Sequence, residues 1–509
     1  MAEEGASNEV IDGYSVISDG IAASVRITRE KEKFTLTYNI KVPALDPATR
    51  AVLNDMRTQL IKEDPLRIQE LSQNTSPTLK IQFLDLVSNK LKKLMPDLSD
   101  SVYLDLSATL LHEMFGLGVL EVLDNDPNLE EIVVNDSKTH VMVYHVKYGW
   151  LETNIRIESE AKIESFAQQI ARKVGRQITN LNPLLDAQLI NGDRVNATLY
   201  PISTHGNTID IRKFKAEPWT ITEFLKVGTV SPELVSFIWQ AIQYELSFIV
   251  TGGTASGKTS ILNVFLPFIP PNQRVITIED TNELILPSFM QWVPMLTRQP
   301  NSEGKGEVTM LDLLINSLRM RPDRLVVGEI RKKDDAQTLF EALMTGHSVY
   351  ATMHAETAQQ VVKRLLSEPI DLPDIEVATL DLVITAFRQR RTGVRRILEV
   401  AEIIERMTAG KSEPVTNNIF EWKARTDKIE RTMNISQKVI NKLQLYSGLT
   451  SEEITKDLEE KKKVLEWMVK NNVSNVNKIG LVASLYYMKK DTMMEIVEKG
   501  GNPEMLENL

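Results

Sequence analysis

Gly252-Gly253-Thr254-Ala255-Ser256-Gly257-Lys258-Thr259 is a full match to the pattern of glycine, four residues, glycine, lysine and serine or threonine. Its neighbours give it weight. The apolar run Ser247 to Val250 directly before it reads as a strand, and Ile261 to Leu266 directly after it reads as an amphipathic helix. In that order, glycines let backbone N–H groups converge on phosphate oxygens while the helix N-terminus adds positive potential. Lys258 can reach the β and γ phosphates and Thr259 can ligate Mg²⁺, so ATP and Mg²⁺ are the expected ligands here.

Working outward, hydrolysis needs a group that aligns or deprotonates the attacking water, and Leu325-Val326-Val327-Gly328-Glu329 puts a carboxylate at the end of an apolar run. Glu329 is the candidate. Gly328 stands where the usual second motif carries Asp, which argues against direct Mg²⁺ ligation from that position. Two further runs have the same form: Val275 to Ile278 ends at Glu279 and Asp280, and Ser348 to Met353 ends at His354. Ligands of open parallel sheets bind beyond the carboxyl ends of the strands, so Lys258, Glu279, Glu329 and His354 are expected on one rim.

His347 and His354 bracket the last of these runs. Along a strand they would stand roughly 23 Å apart, too far to share a metal ion. His354 is expected to sense the γ-phosphate. For His347, which follows Gly346 where a helix would end, a cap or packing role stands beside chemistry. His112, His140, His145 and His205 lie outside this sheet and read as structural.

Composition sets the frame for these motifs. The chain has 509 residues, enough for roughly three structural units. Hydrophobic residues at 42% and charged residues at 25% exclude wholesale disorder. A net charge of -10 argues against a chain built mainly to coat nucleic acid or anionic lipid. With no cysteine, disulfides, iron–sulfur clusters and thiolate zinc sites are excluded, and a reducing cytoplasm fits. Apolar runs stay short of a membrane span and no export signal is evident, so a cytoplasmic location with peripheral membrane association is expected.

The expected organisation begins with a mobile tail over residues 1–30, rich in Glu, Ser, Gly and Asn. A helical subdomain follows over 31–115, then an α+β domain over 116–217 in which strands alternate with a helix near Ile163 to Val174. Residues 218–232 are expected to link this half to an α/β domain over 233–410, where helical patterns alternate with short β-branched runs around a parallel sheet, and which the family resemblance given below implies is a RecA-like ATPase domain. Residues 411–509 read as charged and helical, with no strand signal.

Together these residues resemble the hexameric secretion ATPases that serve type II secretion, type IV pili and archaeal filaments. The likeness spans about residues 115–405. It rests on the phosphate loop, the acidic box Thr277-Ile278-Glu279-Asp280, Arg321-Pro322-Asp323 leading into Val327-Gly328-Glu329-Ile330-Arg331, and the histidine box from Thr345-Gly346-His347 to His354. Glu303-Gly304-Lys305-Gly306-Glu307 and Met320-Arg321-Pro322-Asp323-Arg324 look most like the archaellum motor branch. The resemblance implies that His347 joins the nucleotide-binding residues. It also implies that arginines of the N-terminal half complete the site, and Arg194 and Arg212 fit, although unaided both would read as solvated surface. Implied partners are five further copies of the chain, a polytopic membrane platform protein, accessory archaellum motor proteins and, indirectly, filament subunits, with no stable nucleic acid.

Three functions follow as expectations. The first is a ring-forming motor that hydrolyses ATP to assemble or rotate a filament, or to drive pilus or type II-like assembly. The second is a ring ATPase that translocates nucleic acid, and the third a nucleotide-gated scaffold. The basic segment Arg388, Arg390, Arg391, Arg395 and Arg396 around Gly393 reads as a solvated hairpin, a docking surface for an acidic partner, or a nucleic-acid contact.

Overall fold

A computed structural model describes residues 9–30, 35–43, 45–63, 65, 68, 71, 76–189, 191–214, 218–301, 304–408, 411–434 and 436–508. The chain divides into two units, Met1–Lys215 with Asn301–Glu303, and Ala216–Pro300 with Gly304–Leu509.

In the N-terminal unit Ile21, Ala23, Val25 and Ile27 are buried while Ala22, Ser24 and Arg26 are exposed, the period of two that makes a strand. This is β2 (Ile21–Arg29), paired antiparallel with β1 (Glu9–Ser18) through the turn Asp19-Gly20. Residues 9–29 are therefore a hairpin, which corrects the expectation of a tail over 1–30; residues 1–8 lie outside the described residues. Small residues dilute the apolar signal of β2, but a two-residue turn and one buried face are enough to specify the pairing.

The hairpin is the edge of a nine-stranded sheet. Its other strands are β3 (Thr37–Lys41), β4 (Leu129–Val134), β5 (Met142–His145), β6 (Gly149–Thr153), β7 (Leu184–Gln188), β8 (Arg194–Thr198) and β9 (Thr208–Arg212). They run in the order β1-β2-β3-β6-β5-β4-β9-β8-β7. Helix Glu160–Lys173 buries Ile163, Phe166, Ala167 and Ile170 in the core of this sheet. Helices Pro47–Glu63, Pro77–Leu94 and Asp100–Phe115 form a separate core around Leu53, Phe83, Val87, Leu106 and Leu110.

The C-terminal unit is organised by strands buried on both faces, which is why they read as unbroken β-branched runs. They are β10 (Phe248–Gly252), β11 (Arg274–Glu279), β12 (Gln291–Leu296), β13 (Arg324–Val327), β14 (Ser348–Met353) and β15 (Leu382–Arg388). These six pair in parallel in the order β12-β11-β13-β14-β10-β15. β16 (Arg395–Thr408), β17 (Lys411–Lys423) and β18 (Lys428–Arg431) extend the sheet antiparallel. On one face Phe248, Val250 and Ile384 meet helices Pro232–Gln243 and Lys258–Phe265; on the other Ile249, Val327 and Val383 meet Lys333–Met344 and Ala358–Leu366. This is the expected RecA-like α/β architecture.

Two boundaries differ from expectation. Residues 218–232 are no linker: Thr220 and Glu223 form a capping box on helix Ile221–Lys226, and Ile221 and Phe224 join the C-terminal core. Residues 411–423 and 428–431 are strands, not helix. β17 carries Asn417 and Asn418, whose amides donate to Glu402 and Glu399 of β16, so polar letters there serve pairing rather than solvent. Beyond it, helices Lys438–Ser447, Ser451–Lys470, Val476–Met488 and Lys490–Lys499 pack onto the same core through Val439, Val464, Leu465, Val482 and Met493. Among the described residues, no helix is long and apolar enough to cross a membrane.

Candidate functional site

The phosphate-loop stretch lies between β10 and helix Lys258–Phe265, as its pattern requires. At Gly252 a Cβ would stand 2.5 Å from both the Ala386 carbonyl oxygen of β15 and the Ser256 Oγ, so only glycine lets the strand end this close to its neighbour. The loop then closes on itself: Ser256 donates to the Gly253 carbonyl from its N–H at 3.3 Å and from its hydroxyl at 2.8 Å. Ala255 at φ 56° and Gly257 at φ 89° turn the chain into the helix. Thr254 and Ala255 are exposed, while Gly253, Lys258 and Thr259 are half-buried around the helix N-terminus, where anions are favoured.

From this loop a chain of contacts runs across the carboxyl edge of the sheet. The Lys258 ammonium folds back on the Gly252 and Gly253 carbonyls at 3.3 and 3.4 Å and lies 3.2 Å from His354 Nδ1. Partial desolvation, with the Lys258 charge second, holds the His354 pKa below its usual value. An ammonium can only donate, so Nδ1 accepts and the ring proton sits on Nε2. That nitrogen is 2.9 Å from Glu329 Oε1, close but without hydrogen-bond alignment. Glu329 Oε2 accepts two hydrogens from Arg331, from Nε at 2.8 Å and a terminal nitrogen at 2.6 Å. Arg331 reaches on to Asp280 at 2.9 Å, and Asp280 accepts from Thr297 Oγ1 at 2.9 Å.

Glu279 occupies the next strand end. It is buried, one carboxylate oxygen accepts from the Glu283 and Leu284 N–H groups, and the other has no partner in the structure. Burial pushes its pKa up to about 7. A Cβ on Gly328 would come within 3.3 Å of Glu279 Cγ, so the space left by the absent Asp of the second motif is filled from β11. Lys258, Glu279, Glu329 and His354 thus share one edge.

His347 does not join them. It precedes β14 at the amino end of that strand, where its N–H and Nδ1 both engage the Ala342 carbonyl, at 3.0 and 3.2 Å, and Nδ1 also meets Thr345 Oγ1 at 3.1 Å. This corrects its placement among nucleotide-binding residues: the ring closes the end of helix Lys333–Met344. Arg194 and Arg212 lie in the N-terminal unit, directly opposite each other on β8 and β9. Arg194 pairs with Asp186 at 3.1 Å. Glu131 of β4 sits opposite Arg212, and burial together with the nearby Asp210 carboxylate lifts its pKa to about 7.

The C-terminal edge suits a magnesium nucleotide. Its loop offers backbone N–H groups, an ammonium and the Thr259 hydroxyl, and the unpartnered carboxylate oxygens of Glu279 and Glu329 suit hydrated Mg²⁺ or an attacking water. Residue patterns alone had not singled out Arg331, Thr297 or Arg364, which donates to the His354 carbonyl. The signal for Arg331 was present as a cation two positions beyond an acid at a strand end. Thr297 and Arg364 reach the site only through the pairing of distant elements.

Known proteins bear on this geometry. The sequence pattern of the family described as Type II/IV secretion system protein matches residues 116–388. An uncharacterised protein of Methanocaldococcus jannaschii is 33% identical over 400 residues, covering 77% of this chain and 69% of that protein. The type IV secretion system protein PtlH of Bordetella pertussis is 27% identical over 302 residues, covering 53% of this chain and 88% of its own. Among solved structures, the VirB11 ATPase from the Brucella suis type IV secretion system, in complex with sulphate, is 25% identical with a TM-score of 0.29, covering 54% of this chain and 90% of that one.

Proposed function

From a chain that belongs to the Type II/IV secretion system protein family, we propose a ring-forming ATPase motor of the archaellum branch, which hydrolyses ATP to assemble or turn a filament. The observation that carries the reading is the contact chain Lys258–His354–Glu329 at the edge that receives the phosphate loop. Six copies would form the ring, seated at the membrane on a polytopic platform protein with accessory motor proteins. The same site would serve a pilus or type II-like assembly ATPase.

In this reading Lys258 exchanges the Gly252 and Gly253 carbonyls for the β and γ phosphates, and Thr259 and the loop amides fix them. Thr259 would hold Mg²⁺, which would supply positive charge to offset the negative charge of the phosphates. Glu329, held by Arg331 on Oε2, keeps Oε1 to orient the attacking water for in-line attack on the γ-phosphate. His354, neutral with its proton on Nε2, passes the loss of the γ-phosphate from Lys258 to Glu329. Arg194 and Arg212 neutralise transition-state charge when domain closure brings them to the phosphates, from the same or a neighbouring subunit.

The test is calorimetry with ADP and Mg²⁺. Removing one charge-assisted contact is worth roughly 1.5–3 kcal/mol, so Lys258→Ala weakens ADP about 10- to 100-fold. Equal affinity in the variant would remove Lys258 from the site.

A further inference from the structure

A bound nucleotide has two ends, and the residues above receive one of them. Glu279, Glu329 and His354 stand on or just beyond β11, β13 and β14, all on one side of β10, and the Lys258 ammonium leans toward that side. The γ-phosphate therefore faces β14. An extended nucleotide anchored on residues 252–259 sends its ribose and base the other way, over β15 and β16.

The hairpin joining those two strands carries the arginines around Gly393. Arg396 is engaged, with two nitrogens donating to Asp427 at 2.8 Å each. Arg395 differs: among the described residues no carboxylate lies within ion-pair reach of it. Its side chain makes a single long hydrogen bond, Nε to the Ala255 carbonyl at 3.4 Å. Its Cδ lies 3.7 Å from where a Cβ on Gly257 would sit, and the residue is half-buried. Arg395 begins β16, and its bond to the Ala255 carbonyl sets it against the phosphate loop on the side of β15 and β16, away from β14.

A partly exposed, weakly held guanidinium beside the path of the nucleoside is suited to lie against the face of a base, since its planar delocalised cation stacks on aromatic rings. We propose that Arg395 contacts the nucleoside end of the ligand, stacking on the base and setting a preference for purines. The inference rests on residues 252–259 being a nucleotide site and adds the residue that reads the part of the nucleotide without phosphates.

The experiment is calorimetric titration of the full chain and of Arg395→Ala with ADP, CDP and inorganic pyrophosphate, each with Mg²⁺. In the variant, ADP affinity is expected to fall about tenfold, the preference for ADP over CDP to narrow, and pyrophosphate affinity to stay as in the native chain. Unchanged ADP affinity overturns the proposal. So does a parallel loss of ADP and pyrophosphate, which would make Arg395 a prop for the loop. If the native chain binds pyrophosphate but no nucleoside diphosphate, the nucleotide-site reading itself fails.

Discussion

At the scale of single residues, Gly328 shows how a missing side chain is replaced from elsewhere. The second motif lacks its usual Asp, and Glu279 fills the vacated space, buried and with one oxygen unpartnered. The cost of that placement depends on pH. The carboxyl of Glu279 titrates near 4.5 in the unfolded chain and at about 7 in the native one, so between these values the native state binds more protons. Stability from this group is present in full below pH 4.5 and falls as pH rises through 7. Glu279→Gln cannot titrate, so its stability relative to the native protein rises across that window, by on the order of 2–3 kcal/mol. Urea unfolding at pH 5 and pH 8 measures this; a pH-independent difference would contradict the buried carboxyl. Lys258, Glu329 and His354 were legible in the sequence because each follows its own strand. The pairing of Arg331 with Glu329 was open to reading two positions away, but its reach to Asp280 and the contact of Arg395 with Ala255 depend on how segments far apart in the chain are aligned.

At the scale of elements, parallel strands were the easiest to read, since burial on both faces leaves runs such as Leu325-Val326-Val327 without polar interruption. The antiparallel additions hid their nature. β17 includes Pro414, Asn417 and Asn418, and in β2 Ala22, Ala23 and Ser24 dilute the apolar alternation, so both signals are faint. The C-terminal helices read correctly as helices, but their attachment did not show in the letters. It depends on Glu402, a buried carboxylate of β16 that accepts from Ser436 Oγ and from the Gln437 and Val439 N–H groups at the start of helix Lys438–Ser447. Glu402→Ala leaves those donors unsatisfied, at roughly 1–3 kcal/mol each where water cannot reach. Hydrogen exchange of residues 437–447 is expected to quicken well before that of β10, and uniform exchange would argue against this anchor.

At the scale of the whole molecule, the chain divides into two units, each with apolar cores of its own. The division was legible only approximately. Helix Ile221–Lys226 looked like a connector because it is short and flanked by Pro218 and Pro232, yet Ile221 and Phe224 commit it to the C-terminal core. The part assigned to Arg194 and Arg212 rests on resemblance to the secretion ATPases, since neither carries a local pattern that tells a catalytic arginine from surface charge. If arginines of neighbouring copies complete each site, phosphate release per subunit rises with protein concentration as rings form, in step with sedimentation. A rate per subunit that is independent of concentration would place hydrolysis within a single chain.

The most direct test of the motor reading compares ATP binding and phosphate release in the native chain and in Glu329→Gln. The native chain is expected to release phosphate, and the variant to keep its ATP affinity while turnover falls at least about a hundredfold, as for loss of a group that aligns the attacking water. Turnover at the native rate in Glu329→Gln would contradict the role of this carboxylate and, with it, the assembly of the site along the edge of the sheet.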